Sequence, residues 1–177
     1  MFLNKEICSK CKGECCRKSG CFLSTRDIKE FDDVKRLLAE KSIVICSIPY
    51  NIFILHSFNI QDPLLDLYAL RDDKDLIKAR SLKKYRNVYI IKTRSENQGI
   101  FEEIDDPNHV AEHLASGKCV FLTPNGCRLS DVQRPFGGLQ LEPDARGIKY
   151  CKLHFSIVNA ALEWFEYHEE LNEIIGK

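Results

Sequence analysis

Five of the chain's nine cysteines fall within its first 21 residues, at Cys8, Cys11, Cys15, Cys16 and Cys21, in the run ICSKCKGECCRKSGC. A reduced thiol packs like a small apolar residue and is ordinarily buried singly. This run is rich in lysine and almost devoid of other apolar side chains, so five thiols have little hydrocarbon to pack against. The run therefore reads as a metal site, and thiolates of this softness suit zinc, copper(I) or an iron–sulfur cluster.

The remaining composition sets modest bounds. At 177 residues the chain is expected to form a single domain, residues 1–177, large enough to bury a core without staples. Its 26 basic and 26 acidic residues cancel, so no overall field recommends nucleic acid or an anionic membrane as partner. The start, MFLNKEICSK, lacks the apolar core of about 7 to 15 residues that a signal peptide needs, and no stretch approaches the ~18 apolar residues of a membrane span. The expectation is a cytoplasmic protein in a reducing compartment, where clustered cysteines more often hold metal than form disulfides.

Beyond the cysteine run, Ser24-x-x-Asp27 resembles a capping box and predicts a helix start. Ile28, Phe31, Val34, Leu37 and Leu38 recur at helical spacing to about Glu40, with Asp32-Asp33 a break into two short helices. SIVICSIPY and NIFILHSF read as two strands joined around Pro49, Tyr50 and Asn51. Cys46, inside the first run, reads as a buried core thiol rather than a ligand. RNVYIIKTR reads as a third strand with Val88, Ile90 and Lys92 on one face. DDPNHVAEHLASGK fits a short helix with Pro107 near its first turn, stopped by Gly117. From about Lys152 to Ile175, an apolar stripe through Phe155, Val158, Leu162, Phe165, Leu171, Ile174 and Ile175 predicts a long C-terminal helix. The expected class is α+β: a small mixed domain with a cysteine-rich metal centre.

A second cysteine block, GKCVFLTPNGCRLSDVQRPFGGLQLEP, carries Cys119 and Cys127 and is followed by Cys151. TPNG favours a tight hairpin turn. A two-residue Pro124-Asn125 loop would pair Leu122 with Cys127 and leave Cys119 on the opposite face. A three-residue loop would restore the face but separate the cysteines by ~13 Å along the strand. Tetrahedral zinc with ~2.3 Å bonds needs sulfurs within ~4 Å of each other, so either the loop is irregular or the two cysteines serve different centres. Cys15-Cys16 likewise needs a bent backbone to bind one ion, because adjacent side chains diverge when extended. Cys8-x-x-Cys11, by contrast, has the loop spacing of a zinc half-site.

On these residues, ICSKCKGECC followed by CVFLTPNGCRLSDVQRPFGGLQLEP and a later cysteine, the chain resembles the YkgJ-type cysteine-cluster family of zinc- or iron-chelating proteins. The resemblance covers the start and a block near the end, and implies metal chelation by Cys8, Cys11, Cys15, Cys16, Cys119, Cys127 and Cys151, with no known reaction. The family often places a cysteine just after Arg-Pro. Here Arg134-Pro135 is followed by Phe136-Gly137-Gly138, which implies one ligand fewer or substitution by Cys151 or Cys21. A flagellin lysine methylase is similar in its cysteine cluster but supplies no transferable catalytic residue.

Other features read first as structural. Arg134 is expected to tie loop carbonyls or a carboxylate such as Glu142 or Asp144, and Gly137-Gly138 to give backbone room beside the metal. His109 and His113, one helical turn apart, and His154, three residues after Cys151, are secondary ligand candidates beside an ordinary surface role. The basic stretch of residues 78–94, with Tyr85 and Tyr89 interleaved, reads as a solvated helix-to-strand edge in preference to a nucleic-acid face. No G-x-S-x-G, P-loop, dinucleotide fingerprint or zincin motif appears. Two functions remain: an iron–sulfur cluster with a redox or modification role, and one or two structural Zn2+ ions in an interaction protein.

Overall fold

The computed structural model describes residue 13 and residues 16–17, 20–58, 74–106, 108–115, 117–142 and 152–176. Cys8, Cys11, Cys15 and Cys151, with Pro107 and Asp144, lie outside the described residues.

The sheet is built on IVICSIP, whose residues Ile43 to Ile48 are all buried, so that strand β1 (Ile43–Pro49) has hydrocarbon on both faces. β1 runs antiparallel to β2 (Asn87–Thr93), with Cys46 opposite Ile90 and Ile43 opposite Thr93. On its other edge it runs parallel to β3 (Phe101–Glu103), giving the order β2-β1-β3. Continuous burial in place of alternation requires cover on both sides. One core gathers Val44, Cys46, Ile48, Val88 and Ile90 with Phe53, Val110, Phe155, Val158 and Ala161. The other gathers Ile43, Ile45, Tyr89 and Ile91 with Leu23, Val34, Leu38, Trp164 and Leu171.

The mixed α+β class stands. The Ser24 capping box forms: Ser24 N–H donates to Asp27 Oδ2 at 2.8 Å, opening a 3-10 turn (Thr25–Asp27). A separate helix α1 (Asp32–Ala39) follows, so the break falls before the paired aspartates, over residues 28–31, and Asp32 and Asp33 form the first turn of α1. Cys46 is fully buried as expected.

Three expectations need correction. NIFILHSF is not a strand but part of helix α2 (Tyr50–Phe58), which begins immediately after Pro49. A short apolar run suits a buried strand or a buried helix equally, and Ile52, Phe53 and Ile54 are buried in succession, which hid the period. The C-terminal segment does not start as a helix at Lys152. Lys152–Leu153 is strand β7, paired with β6 (Leu141–Glu142), and Ser156 caps α6 (Ile157–Trp164) through a capping box with Asn159. A 3-10 turn (Phe165–Tyr167) then separates α6 from α7 (His168–Ile175), so the apolar stripe belongs to two short helices. Between these regions lie α3 (Lys74–Arg80), α4 (Val110–Leu114), a small hairpin of β4 (Leu122–Thr123) and β5 (Gly126–Cys127), and the turn-length α5 (Phe136–Leu139).

The third correction concerns Lys92, which is not part of a solvated edge but 1% exposed. The open edge of β2 is covered instead by the N-terminal segment. Leu23 N–H donates to Ile91 O at 2.8 Å, Phe22 bridges Lys92, and Thr93 N–H donates to Cys21 O at 2.9 Å. Pairing an edge in this way satisfies its backbone and removes the need for a charged guard. Among the described residues no helix is long and apolar enough to cross a membrane.

Candidate functional site

β2 changes character at its end: Val88 to Ile91 present aliphatic or aromatic side chains, whereas Lys92 and Thr93 are polar and no less buried. Thr93 is the pivot of the region. Its hydroxyl accepts from Cys21 N–H at 2.8 Å and from the Cys119 thiol at 3.5 Å. The chain beyond β2 pairs with the second cysteine block, with Ser95 bridging Cys119 and Val120 N–H donating to Arg94 O at 3.0 Å. The decisive contact is that Cys119 N–H donates to Cys16 O at 2.7 Å. The two cysteine blocks, far apart in sequence, therefore touch through their backbones.

Close packing holds the junction together. Gly20 has φ +69°, and a Cβ there would fall 2.3 Å from Thr93 Oγ1, so only glycine suits both the conformation and the space. On the far side of Cys21, a Cβ on Gly138 would fall 2.9 Å from the Cys21 sulfur, and one on Gly137 would fall 2.5 Å from Phe22 O. The Gly-Gly pair thus gives backbone room beside a cysteine. Asp27 fixes that loop by accepting from Phe136 N–H at 2.8 Å. Burial, joined by the nearby Glu163 carboxylate, holds Asp27 above the ordinary carboxylate range despite the donors of Ser24 and Phe136.

The second block resolves the hairpin alternatives. The Pro124-Asn125 loop has two residues and pairs Leu122 with Cys127. Strand geometry does not extend back to Cys119, because Leu122 N–H donates to Cys119 O at 2.9 Å and closes a turn. The alternation that would set Cys119 and Cys127 on opposite faces consequently stops at Leu122. Cys127 is half-buried and Cys119 is 3% exposed.

Of the expected ligands, the described ones are Cys16, Cys119 and Cys127; the junction brings Cys16 and Cys119 together and adds Cys21. Cys21 also lines an apolar cavity of about 300 Å³ with Phe22, Leu114, Leu141 and Ile157. Cys21, Cys46, Cys119 and Cys127 are free thiols. Among the described residues no group of three or more His, Cys, Asp or Glu converges to hold a metal. The secondary histidines sit elsewhere: His109 Nδ1 lies 3.0 Å from Asp106, and His154 Nε2 lies 2.6 Å from Glu142. Arg134 ties its own loop, donating from Nε to Leu129 O at 3.4 Å.

Sequence reasoning missed Lys92 and Thr93 as members of this region. A signal existed, since Lys92 follows Val88 and Ile90 on a buried face. No family model matches the chain, and neither does any curated protein or solved structure.

Proposed function

We propose that this chain is a metal-binding protein of the YkgJ-type cysteine-cluster kind, in which Cys8, Cys11, Cys15 and Cys16 join Cys119, Cys127 and Cys151 to hold an iron–sulfur cluster with a redox or modification role. The observation that carries the reading is the 2.7 Å hydrogen bond from Cys119 to Cys16, which brings one member of each cysteine block into contact. Two further features fit a thiolate-bound metal. The Gly137-Gly138 loop leaves room at the Cys21 sulfur that any side chain would take, and the neighbouring Lys92 ammonium is buried without a carboxylate partner among the described residues. Seven or more thiols also exceed what one tetrahedral ion uses. Such a cluster would supply one-electron chemistry, while the protein's part is to fix its ligands, its burial and the hydrogen bonds around its sulfurs.

The second reading, one or two zinc ions stapling the same blocks, draws on the same junction. Cys16 is tied to Cys119 and residues 21–23 to β2, each from far along the chain, and metal-binding free energy there becomes folding free energy. Anaerobic purification followed by visible absorption and elemental analysis separates the two. A brown protein with a broad band bleached by dithionite supports the cluster; a colourless protein with stoichiometric zinc that chelator unfolds supports the staple. Absence of any stoichiometric metal refutes both. On either reading the protein is proposed to act in the cytoplasm.

A further inference from the structure

At the end of the sheet opposite the cysteine junction lies a cleft of about 660 Å³, a size usual for small-molecule sites. It opens where the parallel strands β1 and β3 end, the position at which open sheets with parallel strands hold ligands. Register explains its floor. Ile91, Ile45 and Phe101 are aligned across β2, β1 and β3 and form an apolar row on the face that α7 helps to cover. The next row on that face, by the two-residue alternation of strands, is Tyr89, Ser47 and Glu103. Tyr89 and Glu103 line the cleft, and Ser47 between them is fully buried with a hydroxyl that has no hydrogen-bond partner among the described residues. An apolar core has no use for such a hydroxyl, whose burial is costly. The sheet face thus changes from hydrocarbon to polar groups where the cleft begins. α7 supplies a wall: the His168 ring lies 4.8 Å from that of Tyr89, and the Tyr89 hydroxyl donates to Asn172 Oδ1 at 2.5 Å.

The charges around the cleft are sorted by strand. Glu103 and Asp105 stand at the exit of β3 with Ile104 buried between them, so both exposed carboxylates line the cleft from one side. Arg86 stands at the entry to β2, where its carbonyl accepts from Tyr50 N–H at 3.0 Å and so abuts the start of α2. Asn51, in the first turn of α2, also lines the cleft, and the helix N-terminus adds partial positive charge to the Arg86 side. β1 lies between the two sides and sets their backbones about 10 Å apart. A wholly anionic ligand would meet Glu103 and Asp105, and a wholly cationic one would meet Arg86. We infer that this cleft binds a small zwitterion of amino-acid or dipeptide size, with its ammonium held by Glu103 and Asp105 and its carboxylate by Arg86 and the start of α2. The site does not depend on the metal-binding reading, because Asn87 at the cleft and Thr93 at the junction are opposite ends of β2, about 20 Å apart at the rise of a strand.

Saturation-transfer NMR on the full-length protein as purified, with pools of the standard L-amino acids and with L-alanyl-L-alanine as probes, detects binding. Calorimetry then ranks the strongest probe against its N-acetylated and C-amidated forms, which lack the ammonium and the carboxylate in turn. Each blocked form is expected to bind roughly 10-fold or more weakly, the worth of one hydrogen-bonded charge. Arg86→Gln and Asp105→Asn change exposed side chains and should leave fold and metal content unchanged. Arg86→Gln is expected to bind the zwitterion about as weakly as wild type binds the amidated form, and Asp105→Asn to weaken it by a smaller factor because Glu103 remains. If no probe binds at millimolar concentration, the proposal is overturned. It is equally overturned if the blocked forms bind as tightly as the zwitterion, or if both variants bind it as wild type does. A protein that binds the zwitterion but carries no metal contradicts the metal reading alone, and one that carries metal but binds no probe contradicts the cleft alone.

Discussion

Cys46 and Cys119 are buried almost equally, at 0% and 3% exposure, yet their surroundings differ. Cys46 sits in mid-strand among Val44, Ile48, Val88 and Ile90, and burial pushes its thiol up to about 12. Cys119 sits where the sheet hands over to loops, its sulfur on the Thr93 hydroxyl and its N–H on Cys16 O. Burial alone therefore does not separate a core thiol from a candidate ligand. Position in the fold does: Cys46 lies inside the regular β1–β2 ladder, whereas Cys119 lies where the two cysteine blocks touch.

The largest effect expected at the apolar region comes from Ile90→Ala, which should lower unfolding free energy by about 2–5 kcal/mol through a cavity opposite Cys46. Chemical denaturation checks it, and metal content per folded molecule should be unchanged. Loss of metal from the folded fraction would mean that the two regions are one unit. Next comes pH. With the Cys46 thiol raised to about 12 from 9.0, the unfolded chain loses this proton first as pH rises. Stability should then fall above pH 9.0, with a slope of up to about 1.4 kcal/mol per pH unit from this group. Lys92, its value depressed, works in the opposite direction on approach to 10.5, so the informative quantity is the difference between wild type and Cys46→Ala. Parallel stability curves would remove Cys46 as the source.

At the junction, Thr93→Val keeps the shape but leaves Cys21 N–H without its acceptor, for an expected loss of about 1–3 kcal/mol. Maleimide labelling of Cys21 and Cys119 should speed up in the same variant, and unchanged labelling would detach Thr93 from the cysteines. The smallest effect belongs to the far end of the sheet, where His168 stacks on Tyr85 at 3.6 Å and burial lowers its pKa. As pH falls through 6.5 the unfolded chain takes up this proton before the folded one, so stability should drop. His168→Phe should flatten that drop in thermal scans between pH 7.5 and about 5.5, leaving the junction thiols unaffected.

The elements readable from sequence were those whose own residues carried the signal. The Ser24-x-x-Asp27 box, the β1 and β2 runs, the hairpin turn at TPNG and Cys46 all needed only local chemistry, whereas the length of that hairpin loop, two residues or three, stayed open until the pairing of Leu122 with Cys127 decided it. NIFILHSF was ambiguous because an apolar run buried on successive residues shows no period. The C-terminal stripe hid a break because Ser156, a cap, lies between two residues that fit the stripe. The junction was half legible: its cysteines were conspicuous, while Lys92 looked like an ordinary edge lysine. Its burial follows from residues 21–23 covering β2, a tertiary pairing that no local pattern announces.

The most direct test of the junction as a metal centre is metal stoichiometry in anaerobically purified wild type, Cys119→Ser and Cys46→Ser. Wild type and Cys46→Ser should carry the same metal per chain, the latter with some loss of stability, and Cys119→Ser should carry little or none. Equal metal content in all three would contradict the assignment of Cys119, and with it the joining of the two cysteine blocks around a metal.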